Sequence, residues 1–240
     1  MSTPLPLSNS NQTSIDTLIP STVDVVLSSG FLAFARHLGF LKGVSESLTI
    51  DGICGTSSGA VIGALWASGM SADQIQNLIT QKRPFQYLTP ILWRGLFSLA
   101  PFIRFLEDHL PPTFEDLKHP FAAGVARQGH YHLLTRGSLI PAVVASCAIP
   151  YLFQPINVDG VMYQDGGVVD RLGLSSWRAL RPDAFLIAHQ VQRTRGKDQN
   201  ESDIRSRCVY TPRSGASFLS LGPFLDQVDE AYQLTRNTIQ

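Results

Sequence analysis

The chain has 240 residues, 44% of them hydrophobic and 16% charged, which supplies a large core for one sizeable domain and excludes general disorder. Lys+Arg and Asp+Glu number 19 each, so the formal net charge is zero. Duplex binders carry a basic excess to displace counterions, so nucleic acid is excluded as a partner.

Residues 1–21 read as a flexible lead-in, polar and rich in Pro, Ser and Asn. No positive charge precedes an apolar run there, which is unlike a secretory leader. No stretch of about 18 uncharged apolar residues occurs either, so a cytoplasmic protein, peripheral to a membrane at most, is expected. Residues 22–240 read as a single domain.

The run Val23–Leu27 predicts a short buried strand ending at Ser28-Ser29-Gly30. From Phe31 to about Glu46, apolar residues at three- and four-residue steps predict a helix, weakened by Gly39. A second strand, about Leu48 to Cys54, runs into Gly55-Thr56-Ser57-Ser58-Gly59 and then a small-residue helix, Ala60–Ala67, stopped by Gly69. Ser71 is placed to cap a further helix, Ala72 to about Lys82. Two strand-turn-helix units in succession predict an α/β fold with a parallel sheet between helices.

Residues 84–112 carry five prolines interleaved with aromatics and read as short helical pieces forming a cap-like insert. Such a flap admits a fatty chain, and Trp93 beside Arg94 suits a transient contact with a membrane surface; a packed insert of ordinary core aromatics is the plainer alternative. Paired strands are expected at Phe121–Ala126 and Tyr131–Thr135, and a helix at Leu139–Ala148 capped by Ser138. Val161–Gln164 leads into Asp165-Gly166-Gly167. A buried strand, Ala184–Val191, precedes a polar loop, Gln192–Arg207, where Arg193, Arg195 and Lys197 are diluted by acidic residues. The last helix is expected from about Pro223 to Arg236. Cys54, Cys147 and Cys208 cannot all pair and lack metal-ligand spacing, so reduced thiols and no metal are expected.

Gly55-Thr56-Ser57-Ser58-Gly59 matches G-x-S-x-G in its strand-turn-helix setting. A serine at the tip of so tight a turn is exposed while the residues two away are pressed together, so Gly55 and Gly59 must be small. The turn also sets Ser57 at a helix N-terminus, where free N–H groups favour negative charge. A serine hydroxyl needs a proton acceptor to attack an ester. Asp165 is one candidate, because Gly166 and Gly167 allow positive φ and close backbone approach at a crowded site. An ordinary carboxylate is a feeble base in water, so it needs a dry pocket. The alternative is a triad with His189, in the chain order Ser, Asp, His of α/β-hydrolases. Ser57 follows only about two strands, however, and a strand-end histidine with a satisfied hydrogen bond is the commoner use of His189, so the dyad is preferred.

Four segments in order resemble the patatin-like phospholipase family over most of residues 23–175: Ser28-Ser29-Gly30-Phe31 with His37–Lys42, the Ser57 turn, Ala145-Ser146-Cys147-Ala148-Ile149-Pro150 with Phe153 and Pro155, and Tyr163–Val168. The resemblance implies a three-layer α/β/α sandwich around a mostly parallel sheet and a Ser57–Asp165 dyad without histidine. It implies hydrolysis of lipid acyl esters (phospholipid, galactolipid or acylglycerol) through an acyl-enzyme on Ser57, with no metal or organic cofactor. In one loop the chain departs from the family's G-G-G-x-R-G, reading Ser29-Gly30-Phe31-Leu32-Ala33-Phe34. The main-chain N–H groups of Gly30, Phe31 and Leu32 are still expected to form the oxyanion hole, since backbone donors need no particular side chain. Arg36 is a substitute for the missing arginine, although an exposed helix arginine is the simpler reading. This altered loop keeps a second function open, a weakly active or inactive lipid-binding scaffold on the same fold.

Overall fold

Every residue of the first strand, β1 (Thr22–Leu27), is buried after Thr22. Its alternation divides the core: Val23, Val25 and Leu27 enter the larger cluster on one face of the sheet, Val26 a smaller one on the other. The computed structural model describes residues 18–91, 97–193 and 205–240. Most of the expected lead-in (1–17), Trp93, Arg94, Arg195 and Lys197 lie outside the described residues.

The chain continues through α1 (Phe34–Ser45), β2 (Thr49–Thr56), α2 (Ser58–Ala67) and α3 (Ala72–Thr80). Next come two-residue strands β3 (Thr89–Pro90) and β4 (Phe97–Ser98), then α4 (Ala100–Glu107), β5 (Phe121–Arg127), β6 (His130–Leu134) and α5 (Leu139–Ser146). The last part holds β7 (Ile156–Val158), β8 (Val161–Asp165), α6 (Leu174–Leu180), β9 (Leu186–Val191), β10 (Ser206–Thr211) and α7 (Phe224–Ile239).

The main sheet has the order β10-β9-β1-β2-β5-β8-β7, with β6 also on β5. From β10 to β5 the pairings are parallel; β6, β7 and β8 join antiparallel. Helices α1, α2, α5 and α7 cover the larger core, and α6 covers the other face through Leu174 and Trp177. The architecture is a three-layer α/β/α sandwich, as the family resemblance implies, around a mixed sheet whose parallel part matches the two successive strand-turn-helix units.

Gly39 and Gly43, which cost α1 helix propensity, are where α7 lies against it. A Cβ at Gly39 would strike the Val228 carbonyl, and one at Gly43 would lie 2.9 Å from Thr235 Cβ. Close helix contact has overridden propensity there.

Several boundaries differ from expectation. Helix α1 starts at Phe34, not Phe31, because Leu32 has φ +49° and Gly30–Ala33 turns first. Ser71 caps α3 in a reciprocal capping box with Gln74, but Ser138 makes no cap bond and gives its hydroxyl to Asp159 at 2.6 Å. The stretch read as a polar loop up to Arg207 contains the start of β10, an edge strand whose partly exposed residues need no apolar run. Helix α6 and strand β7 went unexpected, both being too short to show a period. The 84–112 insert packs Tyr87, Phe102 and Phe105 against one another.

Candidate active site

Strand β5 is the ruler that joins two distant parts of the chain. Along one edge, Ile53 to Thr56 of β2 pair with Phe121 to Gly124. The opposite edge is taken by β6 over Ala123–Arg127. Strand β8 pairs at Val125 and Ala126, so it must occupy the β2 edge just past the last β2 pair. Thr56 is in register with Gly124 and Asp165 with Val125, so Asp165 steps in where β2 leaves the sheet at Ser57.

The turn at Ser57 is strained, with φ +56° and ψ −120°, in a region that L-residues avoid. It is held by packing on both flanks. A Cβ at Gly55 would collide with the Gly59 carbonyl, and one at Gly59 would lie 2.5 Å from the Leu27 carbonyl oxygen. The expected crowding two residues either side of Ser57 is thus real. Ser146, buried at the end of α5, fixes the turn further: its hydroxyl accepts from the Ser57 N–H at 2.8 Å and donates to the Gly124 carbonyl at 2.6 Å. The sequence marked Ser146 only as part of a motif and gave it no role.

Asp165 is 4% exposed, and burial pushes its carboxyl up from 3.8 to about 6. The Gly167 N–H at 2.7 Å and the Ser57 hydroxyl pull in the other direction. Ser57 is therefore close enough to act as a donor to the carboxylate, yet no well-formed hydrogen bond joins the two among the described residues. A long or poorly aligned contact of this kind is common before substrate is bound. Neither Gly166 nor Gly167 has positive φ, contrary to expectation. They are needed for close approach instead: a Cβ at Gly166 would lie 2.6 Å from the Gly124 carbonyl oxygen and one at Gly167 2.6 Å from Ser29 Oγ.

The loop Ser29–Leu32 lies across the cleft with its carbonyls held from behind. Arg171 donates to the Ser29 carbonyl at 2.7 Å and to that of Val191 at 2.7 Å, Ser58 donates to Gly30 at 2.7 Å, and Ser214 to Leu32 at 3.1 Å. A trans peptide sends its C=O and N–H in opposite directions. Holding the Ser29 and Gly30 carbonyls therefore turns the N–H groups of Gly30 and Phe31 the other way. Among the described residues no acceptor takes the N–H of Gly30, Phe31 or Leu32. Gly30 and Phe31 line the same cavity as Ser57 and Asp165, whereas Leu32 lines a neighbouring one. Nothing in the sequence signalled Arg171, whose role exists only once β8 and β9 are adjacent to the loop.

Arg36 corrects an expectation. It is 5% exposed and ion-paired with Glu230 on α7 at 2.5 Å, so it is neither a surface arginine nor part of the cleft. His189 is buried, with Nδ1 against His37 Nδ1 at 2.9 Å and Nε2 against Thr211 Oγ1 at 2.9 Å; both nitrogens are taken, and neither by Ser57. All three cysteines are free thiols, and burial pushes those of Cys54 and Cys147 up.

Two cavities meet at Ser57. One, of about 660 Å³, has a mixed lining that includes Asp165, Arg171, Arg193 and Arg213. The other, of about 100 Å³, is walled by apolar side chains that include Leu99, Phe102, Phe105 and Phe153. The 84–112 insert supplies much of that wall.

Comparison with known proteins identifies the family of the chain. A family model described as patatin-like phospholipase matches residues 25–176, from β1 into α6. An NTE family protein of Mycobacterium tuberculosis is 31% identical over 173 residues, 68% of this chain and 48% of the relative. Neuropathy target esterase of Drosophila grimshawi is 28% identical over 169 residues, 65% of this chain and 12% of the relative. The chain thus spans about half the length of the mycobacterial protein and far less of the insect one. Among solved structures, VipD from Legionella pneumophila shares the fold with a TM-score of 0.59 at 14% identity, covering 92% of this chain and 67% of that one. The family match takes in the second half of β1, the strained serine turn and the aspartate at the end of β8, and by it this chain belongs to the patatin-like phospholipase family.

Proposed function

We propose that this protein is a serine acyl-hydrolase that cleaves carboxylic esters of lipids through a Ser57–Asp165 dyad. Asp165 takes the proton as Ser57 Oγ attacks the ester carbonyl, and the N–H groups of Gly30 and Phe31 receive the charge on the tetrahedral oxygen. Asp165 gives that proton to the alcohol as it leaves and Ser57 keeps the acyl group; Asp165, ionised again, takes a proton from the attacking water and returns it to Ser57 Oγ as the acid is released. A carboxyl raised to about 6 is still mostly ionised at pH 7 and is a stronger base than an ordinary carboxylate. Leu32 takes no part in this scheme, because it lines the apolar cavity and not the one that holds Asp165.

The observation that carries this reading is the position of Ser57 at the junction of a cavity of mixed lining, which holds the buried Asp165 and three arginines, and an apolar cavity walled by aromatics. An amphiphilic ester places its acyl chain in the second and its head in the first. Exposed Phe31 and Val168, which line the cavity, suit brief contact with a lipid surface.

Labelling with a fluorophosphonate probe tests the proposal. Wild-type protein is expected to react at Ser57, and Ser57→Ala to be inert. A folded wild-type protein that resists the probe would instead support a lipid-binding scaffold, the reading favoured by a loop in which Leu32 adopts φ +49° where glycine would be unstrained.

A further inference from the structure

Two buried histidines have no part in the chemistry above, yet they connect to its loop. Thr211 Oγ1 lies 2.9 Å from His189 Nε2, and His189 Nδ1 lies 2.9 Å from His37 Nδ1. His37 Nε2 lies 3.2 Å from Ser58 Oγ, which in turn lies 2.7 Å from the Gly30 carbonyl oxygen. The four side chains come from β10, β9, α1 and the start of α2, and all are buried. The imidazole rings stand nearly perpendicular, at 88°, and Phe40 stacks on His189 with ring centroids 4.7 Å apart.

The direction of every bond in this line follows from its last member. A carbonyl can only accept, so the single hydroxyl proton of Ser58 goes to Gly30. Ser58 Oγ must then accept from His37, which puts a proton on His37 Nε2. A neutral His37 has a bare Nδ1, so the proton between the rings sits on His189 Nδ1. Nε2 of a neutral His189 is bare in turn and accepts from the Thr211 hydroxyl.

Neutrality has physical support apart from the distances. Burial and the Arg171 guanidinium hold His37 at about 3, while burial, His37 and Arg36 hold His189 well below the usual range. The Ser28 backbone acts in the opposite sense without outweighing burial.

We infer that Thr211, His189, His37 and Ser58 form a one-directional hydrogen-bond relay of fixed tautomers whose end grips the Gly30 carbonyl and thereby aims the Phe31 N–H at the cleft. The planar peptide between Gly30 and Phe31 makes the connection: with its carbonyl held by Ser58, its N–H must face the opposite way. Arg171 does the same for the preceding peptide through Ser29. The family's usual glycines are replaced here by Ser29 and Phe31, and buried side chains supply the positioning. His37, His189 and Thr211 are positioning residues, because none lines the cavity of Ser57 and Asp165.

The catalytic purpose of the relay rests on the hydrolase reading; its proton order does not. Long-range ¹H–¹⁵N spectra of the full chain at neutral pH are expected to show His37 protonated at Nε2 only and His189 at Nδ1 only. The reverse tautomers, or an imidazolium on either ring, would overturn the relay. Thr211→Val removes the first donor with little change of shape. It is expected to lower kcat on a soluble short-chain ester about tenfold with KM unchanged, since the Phe31 N–H is misaimed rather than lost and a lost donor costs about a hundredfold or more. Thr211→Ser is expected to restore the rate. A Thr211→Val protein with wild-type kcat would overturn the positioning role, and if that variant does not fold, the wild-type spectra and Thr211→Ser decide. Wild-type protein with the expected tautomers but no ester turnover would overturn the hydrolase reading and the purpose of the relay with it. Full turnover with reversed tautomers would overturn the relay alone.

Discussion

Replacing Asp165 with asparagine should make the protein more stable while silencing it. The carboxyl is almost wholly buried, and its rise from 3.8 to about 6 measures how much the fold disfavours the charge. At about 1.4 kcal/mol per tenfold, that rise corresponds to about 3 kcal/mol of strain on the folded state at pH 8. Asparagine removes the charge but keeps an oxygen for the Gly167 N–H, at a loss of about 1 kcal/mol because the bond is no longer charge-assisted. The net gain expected for Asp165→Asn is therefore about 2 kcal/mol in urea unfolding at pH 8. The sign of the pH dependence is fixed by linkage. With the folded value above the unfolded one, the stability linked to this group is complete below about 3.8 and is lost as pH rises to about 6. The advantage of the variant should thus shrink as pH falls from 6 toward 3.8. An Asp165→Asn protein no more stable than wild type at pH 8, or with an advantage independent of pH, would refute the assignment of a buried, destabilised base.

The same carboxyl predicts that kcat/KM on a soluble ester rises with pH through an apparent pKa near 6 and levels off above about 7, because the base must be ionised; a profile flat from pH 5 to 8 would exclude it. Ser146→Ala strips a partner from the Ser57 N–H and the Gly124 carbonyl, so a loss of about 2–4 kcal/mol in unfolding free energy is expected, together with slower fluorophosphonate labelling. Gly55→Ala drives a methyl group into the backbone of Gly59 and Ala60, where nothing flexible can yield, and is expected to cost at least 1–3 kcal/mol and nearly all esterase activity. Phe102→Ala enlarges the apolar cavity and should cost about 3–5 kcal/mol, as read by thermal unfolding.

What the sequence determined by itself was local. The G-x-S-x-G turn could be read because a tight strand-to-helix turn leaves room only for glycine at Gly55 and Gly59, a rule that needs five residues and no partner. Strand β1 and the capping box of α3 were readable for the same reason: burial pattern and capping act within one element. Alternating polarity failed at β10 because an edge strand is half exposed, and Gly39 weakened a correct helix reading because its reason lies on α7.

Tertiary structure alone decided which side chains share the cleft. The register of β5 puts Asp165 where β2 departs at Ser57, a pairing that the sequence suggested only through the resemblance of four segments, since neither segment alone encodes it. It also took His189 away from Ser57 by setting it against His37 and Thr211, and took Arg36 away from the cleft by pairing it with Glu230. The support given by Ser146 and Arg171 exists only across elements, since each bonds a backbone group far away in sequence. Periodicity and motif spacing describe what one segment prefers. The protonation of Asp165 and the direction of the Phe31 N–H depend on which neighbours exclude water and accept protons, and folding alone selects those neighbours.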